Sequence, residues 1–431
     1  MKTLNLLLAL LFSTSLYASE LCSHKGVAAP YPAYPSEVSR EAGWTEAYTA
    51  LYAQLCSNLK TPNRFFRGYR SHPSPRYIAA YLWDTAFIAQ AWMHWDPKIA
   101  QELIRYLLKF QEKSGMLHHA VLEILIKPYA YSDSQPPIIA WTAWRIYEKS
   151  GDVQFLRDVY PKLKRYHEWL KLNRRHPDGL YFWKHPYESG IDNSPRFTNR
   201  SESWMDDTTK LASVDISSYM AQAMESLEKI ASVIGLPDEA KNFSSEYAHL
   251  KLVMNAKLWD EADGTYYDYD YRKNDFVRVD TVSNFTPLTA GIPDPYQARR
   301  LIERALDPSK YNTKIPFPSV SRADPTFVKD MWRGPVWINM AYFGVLGVDR
   351  YGYREDAAML AKKISGGVFE TWKIRKDFYE FYDPERFDIK ELHRKKGNLW
   401  KRIQLGSKPV KNFAGWTALA NTLVVEFGAD W

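Results

Sequence analysis

The sequence predicts an all-α chain, and three observations carry that prediction. Apolar residues recur at three- and four-residue spacing through eleven segments, roughly 37–58, 78–94, 97–113, 136–150, 153–173, 213–234, 236–259, 295–306, 335–348, 352–366 and 415–427. Strand-like alternation is rare. Between the helical segments lie aromatic, proline-punctuated stretches at 61–76, 179–208, 262–286, 311–334 and 376–412. These are long for connectors in a compact domain, and ordered loops of that length are where functional groups concentrate.

At 431 residues, with 45% hydrophobic and 15% aromatic side chains, the chain can bury a large core, which excludes a disordered protein. The stretch 153–173 illustrates the pattern. Phe155, Leu156, Val159, Leu163, Tyr166 and Leu170 fall on one helical face beside an exposed face of Lys, Arg and Asp. No low-complexity tract or linker divides the chain, so 19–431 reads as one domain. Helix after helix, joined by loops of alternating length, suggests stacked hairpins closing into a ring.

The N-terminus has a different character. Met1-Lys2-Thr3 precedes the apolar run Leu6 to Phe12 and the small or polar stretch Ser13 to Ser19, the form of a secretory signal occupying residues 1–18. Export to the periplasm or beyond is the expectation. No later stretch is apolar enough for a membrane span, and Ser19-Glu20-Leu21 before Cys22 makes a poor lipid-attachment site, so no stable membrane anchor is expected after signal removal. In an oxidising compartment the two cysteines, Cys22 and Cys56, are a disulfide candidate tying the mature N-terminus to the first helix. Two free thiols are the alternative.

The formal charge of +7 is spread over Lys171, Arg174 and Arg175, over Arg299 and Arg300, and over Arg394 to Lys396. No stretch has the form of a nucleic-acid module, so the charge reads as solvated surface and no nucleic-acid partner is expected.

Two segments carry candidate acids. In Tyr187-Glu188-Ser189-Gly190-Ile191-Asp192-Asn193-Ser194-Pro195-Arg196, Gly190 and Pro195 set unusual backbone around Glu188 and Asp192. Asp192 is thus either a presented acid or a turn cap. In Phe378-Tyr379-Glu380-Phe381-Tyr382-Asp383-Pro384, aromatic rings flank Glu380, which is a candidate acid or base if buried and a surface acid otherwise. Trp recurs beside hydrogen-bonding residues at helix starts: Trp83-Asp84-Thr85-Ala86-Phe87, Ser134-Gln135-Pro136-Pro137 before Trp141, Trp332-Arg333-Gly334-Pro335-Val336-Trp337 and Gly415-Trp416-Thr417. That pairing suits sugars, whose C–H faces pack on rings while their hydroxyls need directed partners.

Taken together and in order, these motifs resemble glycoside hydrolase family 63 and its trehalase-like relatives, including mannosylglycerate hydrolases, from about residue 80 to the C-terminus. The resemblance implies an (α/α)6 barrel with long active-site loops at one end and inverting hydrolysis of an α-linked glucoside or mannoside. It places Asp192 as general acid and Glu380 as general base. It gives Trp83, Asp84, Phe87, Gln135, Tyr187, Glu188, Gly190, Trp332, Arg333, Gly334, Trp337 and Trp416 to the substrate site. The partner it implies is a small carbohydrate, with no cofactor and no metal. Consistent with that, the histidines and cysteines lack zinc-type spacing, and His118-His119 reads as surface or subsite. The basic stretch Arg386 to Lys411 departs from the family pattern and has no role assigned.

Other readings remain open at this level. Asp206 or Asp207 is a second candidate for the acid. The same pair, in Asp206-Asp207-Thr208-Thr209, is also what a helical-barrel, metal-dependent cyclase would use to hold a diphosphate. A periplasmic sugar-binding protein without catalysis is the non-enzymatic alternative.

Overall fold

The computed structural model describes residues 22–27, 30–36, 41–123, 133–197, 205–394, 403 and 405–431. The signal-like segment 1–18 and the start of the first predicted helix, 37–40, lie outside the described residues. Twelve helices are found among the described residues. They are α1 (Trp44–Asn58), α2 (Leu82–Trp95), α3 (Pro97–Lys109), α4 (Ile139–Ser150), α5 (Val153–Asn173), α6 (Val214–Ile234), α7 (Pro237–Lys257), α8 (Thr286–Thr289), α9 (Pro295–Leu306), α10 (Ile338–Arg350), α11 (Arg354–Arg375) and α12 (Leu419–Phe427).

The even-numbered helices pack side by side in the order α2, α4, α6, α8, α10, α12, and α12 returns to α2, which closes an inner ring. The odd-numbered helices lie outside it. Composition decides the layer: α2 is buried at every position but His94, whereas α3 buries Ile99, Leu103, Ile104 and Leu107 and leaves a polar face outward. Helix starts follow local chemistry. Asp96 accepts hydrogen bonds from the Lys98 and Ile99 amides ahead of Pro97, and Asp294 with Gln297 forms a reciprocal capping box at α9.

Short antiparallel strands trim the ends of the ring, and the pair β1 (Ala79–Tyr81) and β2 (Ala120–Leu122) matters for function. Its register pairs Tyr81 with Ala120, and Leu82 N donates to His119 O at 3.0 Å, which sets Tyr81 and His119 beside the start of α2.

Two departures from the expected helices have clear causes. The single-turn α8 completes the inner ring but, at four residues, is too short to show periodicity. The helix expected to end at 366 continues to Arg375 through Gly366 and Gly367. A Cβ at Gly366 would sit 2.5 Å from Trp44 Cη2, and one at Gly367 2.6 Å from Ile315 Cγ1. The pair is a notch that admits α1 and the 311–334 loop against bare backbone.

Cys22 and Cys56 form a disulfide with Cα atoms 5.9 Å apart. Lys25 joins the same anchorage. Its Nζ donates to the carbonyls of Cys56 at 2.7 Å and Leu59 at 2.7 Å, at the end of α1, where carbonyls lack helical partners. The inner helices are cross-linked by partly buried charge. Arg145 Nη2 donates to Glu426 Oε1 at 2.5 Å, Tyr342 Oη donates to Glu426 Oε2 at 3.0 Å, and His94 Nε2 lies 2.9 Å from Glu426 Oε1. No described helix is long and apolar enough to cross a membrane.

Candidate active site

The inner helices point their N-terminal ends toward one mouth, so the segments preceding them meet there. Asp192 arrives on the loop between α5 and α6. A 3-10 turn, Pro186–Ser189, runs into Gly190 at φ +72°, where a Cβ would lie 2.5 Å from Trp83 Cζ2. Only glycine gives both the left-handed turn and that contact with the indole. Beyond Asp192, Asn193 Oδ1 accepts from Trp332 N at 3.0 Å, and Arg333 Nη1 donates to Asn193 O at 3.3 Å. Arg196 is buried between Asp268, reached at 3.0 Å through Nη1, and Asp215. Paired charge on this side and two loop-to-loop hydrogen bonds on the other fix the turn that carries the acid.

Glu380 arrives from the opposite end of the chain. Its N donates to Val410 O at 3.0 Å, and Trp416 Nε1 donates to its carbonyl at 2.7 Å. Thr417 Oγ1 donates to Tyr379 O at 2.7 Å. Held through its backbone, Glu380 turns its side chain inward, only 3% exposed. There Tyr77 Oη donates to Oε1 at 2.6 Å and Arg394 Nη1 donates to Oε2 at 2.5 Å. The surface-acid reading of Glu380 is therefore set aside. Burial alone makes an unpaired carboxylate costly, and the guanidinium compensates it here.

The two acids line a cavity of about 140 Å³ whose wall carries four Trp and three Tyr rings. Trp332 and Trp337 stack with centroids 3.7 Å apart and planes 8° from parallel, and Trp83 and Trp416 meet edge to face at 5.8 Å. Asp84 also opens onto the cavity. Burial pushes its carboxyl well above the ordinary range, and the negative charge of Glu380 adds to the effect, favouring a neutral group that can donate a hydrogen bond. Gln135 Oε1 accepts from Trp83 N at 3.2 Å, satisfying a first-turn amide of α2, while its Nε2 lies 3.1 Å from His119 Nε2. Tyr187 stacks on His119 at 4.4 Å. The cavity thus offers flat apolar faces and polar groups between them, the pairing that sugar rings require.

Of the residues expected at the site, Trp83, Asp84, Gln135, Tyr187, Gly190, Asp192, Trp332, Trp337, Glu380 and Trp416 line the cavity, and Phe87, Glu188, Arg333 and Gly334 do not. Phe87 lies behind Trp83, edge-on to Trp83 at 5.7 Å and to Phe343 at 5.5 Å. Glu188 is buried against Arg174, whose Nη2 donates to Oε1 at 2.7 Å, and it accepts from Lys184 N at 2.8 Å. Its carboxylate ties separate stretches of chain together and does not line the cavity. Arg333 braces the Asp192 loop as above. Gly334, at φ +156°, lets the chain pass within a would-be Cβ distance of 2.5 Å from Val328 O.

Five cavity residues escaped the sequence assignment, Tyr77, Tyr81, Met331, Arg394 and Leu405, and His119, which had read as surface or subsite, also lines the wall. Tyr77 and Tyr81 stand four apart just ahead of Trp83, and His119 belongs to the noted His pair. Asp206 and Asp207 are exposed and outside the cavity, with Asp207 Oδ1 accepting from Thr209 N at 2.8 Å. Among the described residues no cluster of three or more His, Cys, Asp or Glu could hold a metal ion.

Comparison with known proteins agrees with this geometry. The family model for the mannosylglycerate hydrolase MGH1-like glycoside hydrolase domain matches residues 77–391, more than half of the chain. A mannosylglycerate hydrolase of Rubrobacter radiotolerans is 25% identical over 398 residues, covering 74% of this chain and 88% of the relative. One of Thermus thermophilus is 27% identical over 382 residues, covering 72% and 89%. Among solved structures, a glycoside hydrolase family 63 mannosylglycerate hydrolase of Thermus thermophilus in complex with glucose superposes with a TM-score of 0.72 at 25% identity, over 87% of this chain and 99% of that one. Neutral trehalase of Saccharomyces cerevisiae, at 15% identity and a TM-score of 0.63 over 86% of this chain and 76% of that one, shares the fold. A closed ring of six inner helices, a cavity lined by aromatic rings and two acids, and these matches lead to one assignment: the chain is an O-glycosyl hydrolase of the MGH1-like domain family, within glycoside hydrolase family 63, built on an (α/α)6 barrel.

Proposed function

We propose that this hydrolase cleaves an α-linked mannoside or glucoside with inversion, with Asp192 as general acid and Glu380 as general base. The observation that carries the reading is the convergence of these two carboxyl groups, 188 positions apart in sequence, on one aromatic-walled cavity. Asp192 gives its proton to the glycosidic oxygen as the bond to the anomeric carbon breaks. A water on the opposite face forms the new bond to that carbon and gives its proton to Glu380. The Trp faces hold the ring, while Asp84 and Gln135 hold its hydroxyls.

A cavity of about 140 Å³ suits one sugar ring with a small aglycone better than a long oligosaccharide. Mannosylglycerate and glucosylglycerate therefore head the candidates, ahead of trehalose and glucosylated oligosaccharides. The relatives named for mannosylglycerate hydrolysis favour the same order. The N-terminal signal-like run and the Cys22–Cys56 disulfide favour export, to the periplasm or the medium.

Incubation with a panel of α-linked disaccharides and glycerate conjugates, read by released sugar and by the anomer first formed, tests the proposal. Release of the β-anomer is expected. Release of the α-anomer would exclude inversion. N-terminal sequencing of the protein from cell fractions tests export.

A further inference from the structure

The acid and base just proposed leave a buried cation of the cavity wall without a role. Arg394 is 6% exposed and lines the cavity. Its Nη1 donates to Glu380 Oε2 at 2.5 Å, its Nη2 donates to Tyr77 Oη at 2.7 Å, and Tyr77 Oη donates to Glu380 Oε1 at 2.6 Å. Three side chains thus close a ring of hydrogen bonds around one carboxylate. The backbone under Arg394 is held as well: its N donates to Ser407 O at 2.9 Å, and His393 N donates to Lys329 O at 2.8 Å. Residue 394 lies just past the stretch matched by the family model, in the basic segment Arg386 to Lys411.

We propose that Arg394, with Tyr77, is a positioning residue for Glu380, setting the plane of its carboxylate toward the attacking water. The proposal rests on Glu380 being the base. A carboxylate with a donor on each oxygen cannot turn about its last bond without breaking one of them. Its four lone-pair sites still leave room for the water, whose proton Glu380 takes as the water oxygen bonds the anomeric carbon. General-base catalysis depends on that approach, and displacement by about 1 Å costs on the order of a hundredfold in rate.

The test compares Arg394→Ala, Arg394→Lys, Tyr77→Phe and Glu380→Gln using α-mannosyl fluoride and α-glucosyl fluoride, whose leaving group does not require the acid, together with a crystal structure of Arg394→Ala. In Arg394→Ala, kcat is expected to fall about a hundredfold with KM within about threefold, and added guanidinium is expected to restore about tenfold. In the Glu380→Gln background, Arg394→Ala should cause no further loss, because it acts through Glu380. The crystal structure should show the Glu380 carboxylate rotated away from Tyr77. An unrotated carboxylate, a raised KM with kcat retained, or a further loss in the Glu380→Gln background would overturn the proposal, the second of these marking Arg394 as a substrate contact. Arg394→Lys and Tyr77→Phe, which keep most of the packing, carry the test if Arg394→Ala fails to fold. Substantial turnover by Glu380→Gln would instead remove the base assignment itself.

Discussion

At the scale of single residues, the site divides into groups that meet the cavity and groups that hold those in place. Asp192→Asn and Glu380→Gln keep side-chain shape while removing the proton chemistry, although an amide at 380 cannot accept from both Tyr77 and Arg394 as the carboxylate does. Each is expected to fold with an unchanged circular dichroism spectrum and to lose at least about a thousandfold in kcat, measured on the substrate found in the panel. Gly190 belongs to the second group. Gly190→Ala must place a Cβ 2.5 Å from the Trp83 ring at φ +72°, so it is expected to lower stability by about 1–3 kcal/mol in thermal melts and to lower kcat/KM as the indole shifts. Glu188→Gln would show the contrast between the two groups. It breaks the buried pair with Arg174, and its main effect should fall on stability, again in a melt, with no change in the anomer released.

At the scale of elements, the six inner helices are joined by contacts of very different kinds. Near the mouth they meet through aromatic rings, and toward the other end through the Arg145, His94, Tyr342 and Glu426 cluster. Burial by itself would raise the Glu426 carboxyl, but Arg145 and His94 outweigh it and hold it down at about 2, while burial lowers the His94 imidazole. Both signs point the same way. A carboxyl depressed in the fold adds stability above its unfolded value of about 4.5 and loses it as pH falls toward 2, and an imidazole depressed in the fold favours unfolding once pH drops below about 6.5. The melting temperature should therefore fall as pH is lowered from about 6.5 to 2, and Glu426→Gln should flatten the acid part of that curve while lowering stability at neutral pH.

The same scale shows what a reader of the sequence could find. Long amphipathic stretches such as 153–173 and 295–306 gave their boundaries directly, because three or more turns establish a period. A four-residue helix such as α8 gives none, and the run through Gly366 and Gly367 looked like an end because the partner that needs the notch, Trp44, lies more than three hundred positions away. The Trp motifs and both acids were legible as local clusters. Arg394 and Tyr77 were not, since their meaning comes from Glu380, reached only after folding. Glu188 lies off the cavity for the matching reason: it sits in the same motif as Asp192, but its partner Arg174 belongs to the preceding helix end.

At the scale of the whole molecule, the described residues from Cys22 to Val27 are tied to α1. The Cys22–Cys56 bond spans 34 positions, and Lys25 caps the carbonyls at the end of α1. In the chain-entropy view a loop of that length contributes about 4 kcal/mol. Thermal melts with and without reductant, and the paired Cys22→Ser, Cys56→Ser variant, should show a lower melting temperature with the catalytic rate at moderate temperature unchanged.

The alternation of inner and outer helices also bears on how such a protein diverges. Each inner helix is entered through its own loop, so several segments reach one mouth, each packed onto the ring by buried residues of its own such as Ile191, Trp332 and Leu392. Substrate preference in this architecture is therefore free to drift one loop at a time, and relatives that share a quarter of their residues can keep the same scaffold while handling different sugars.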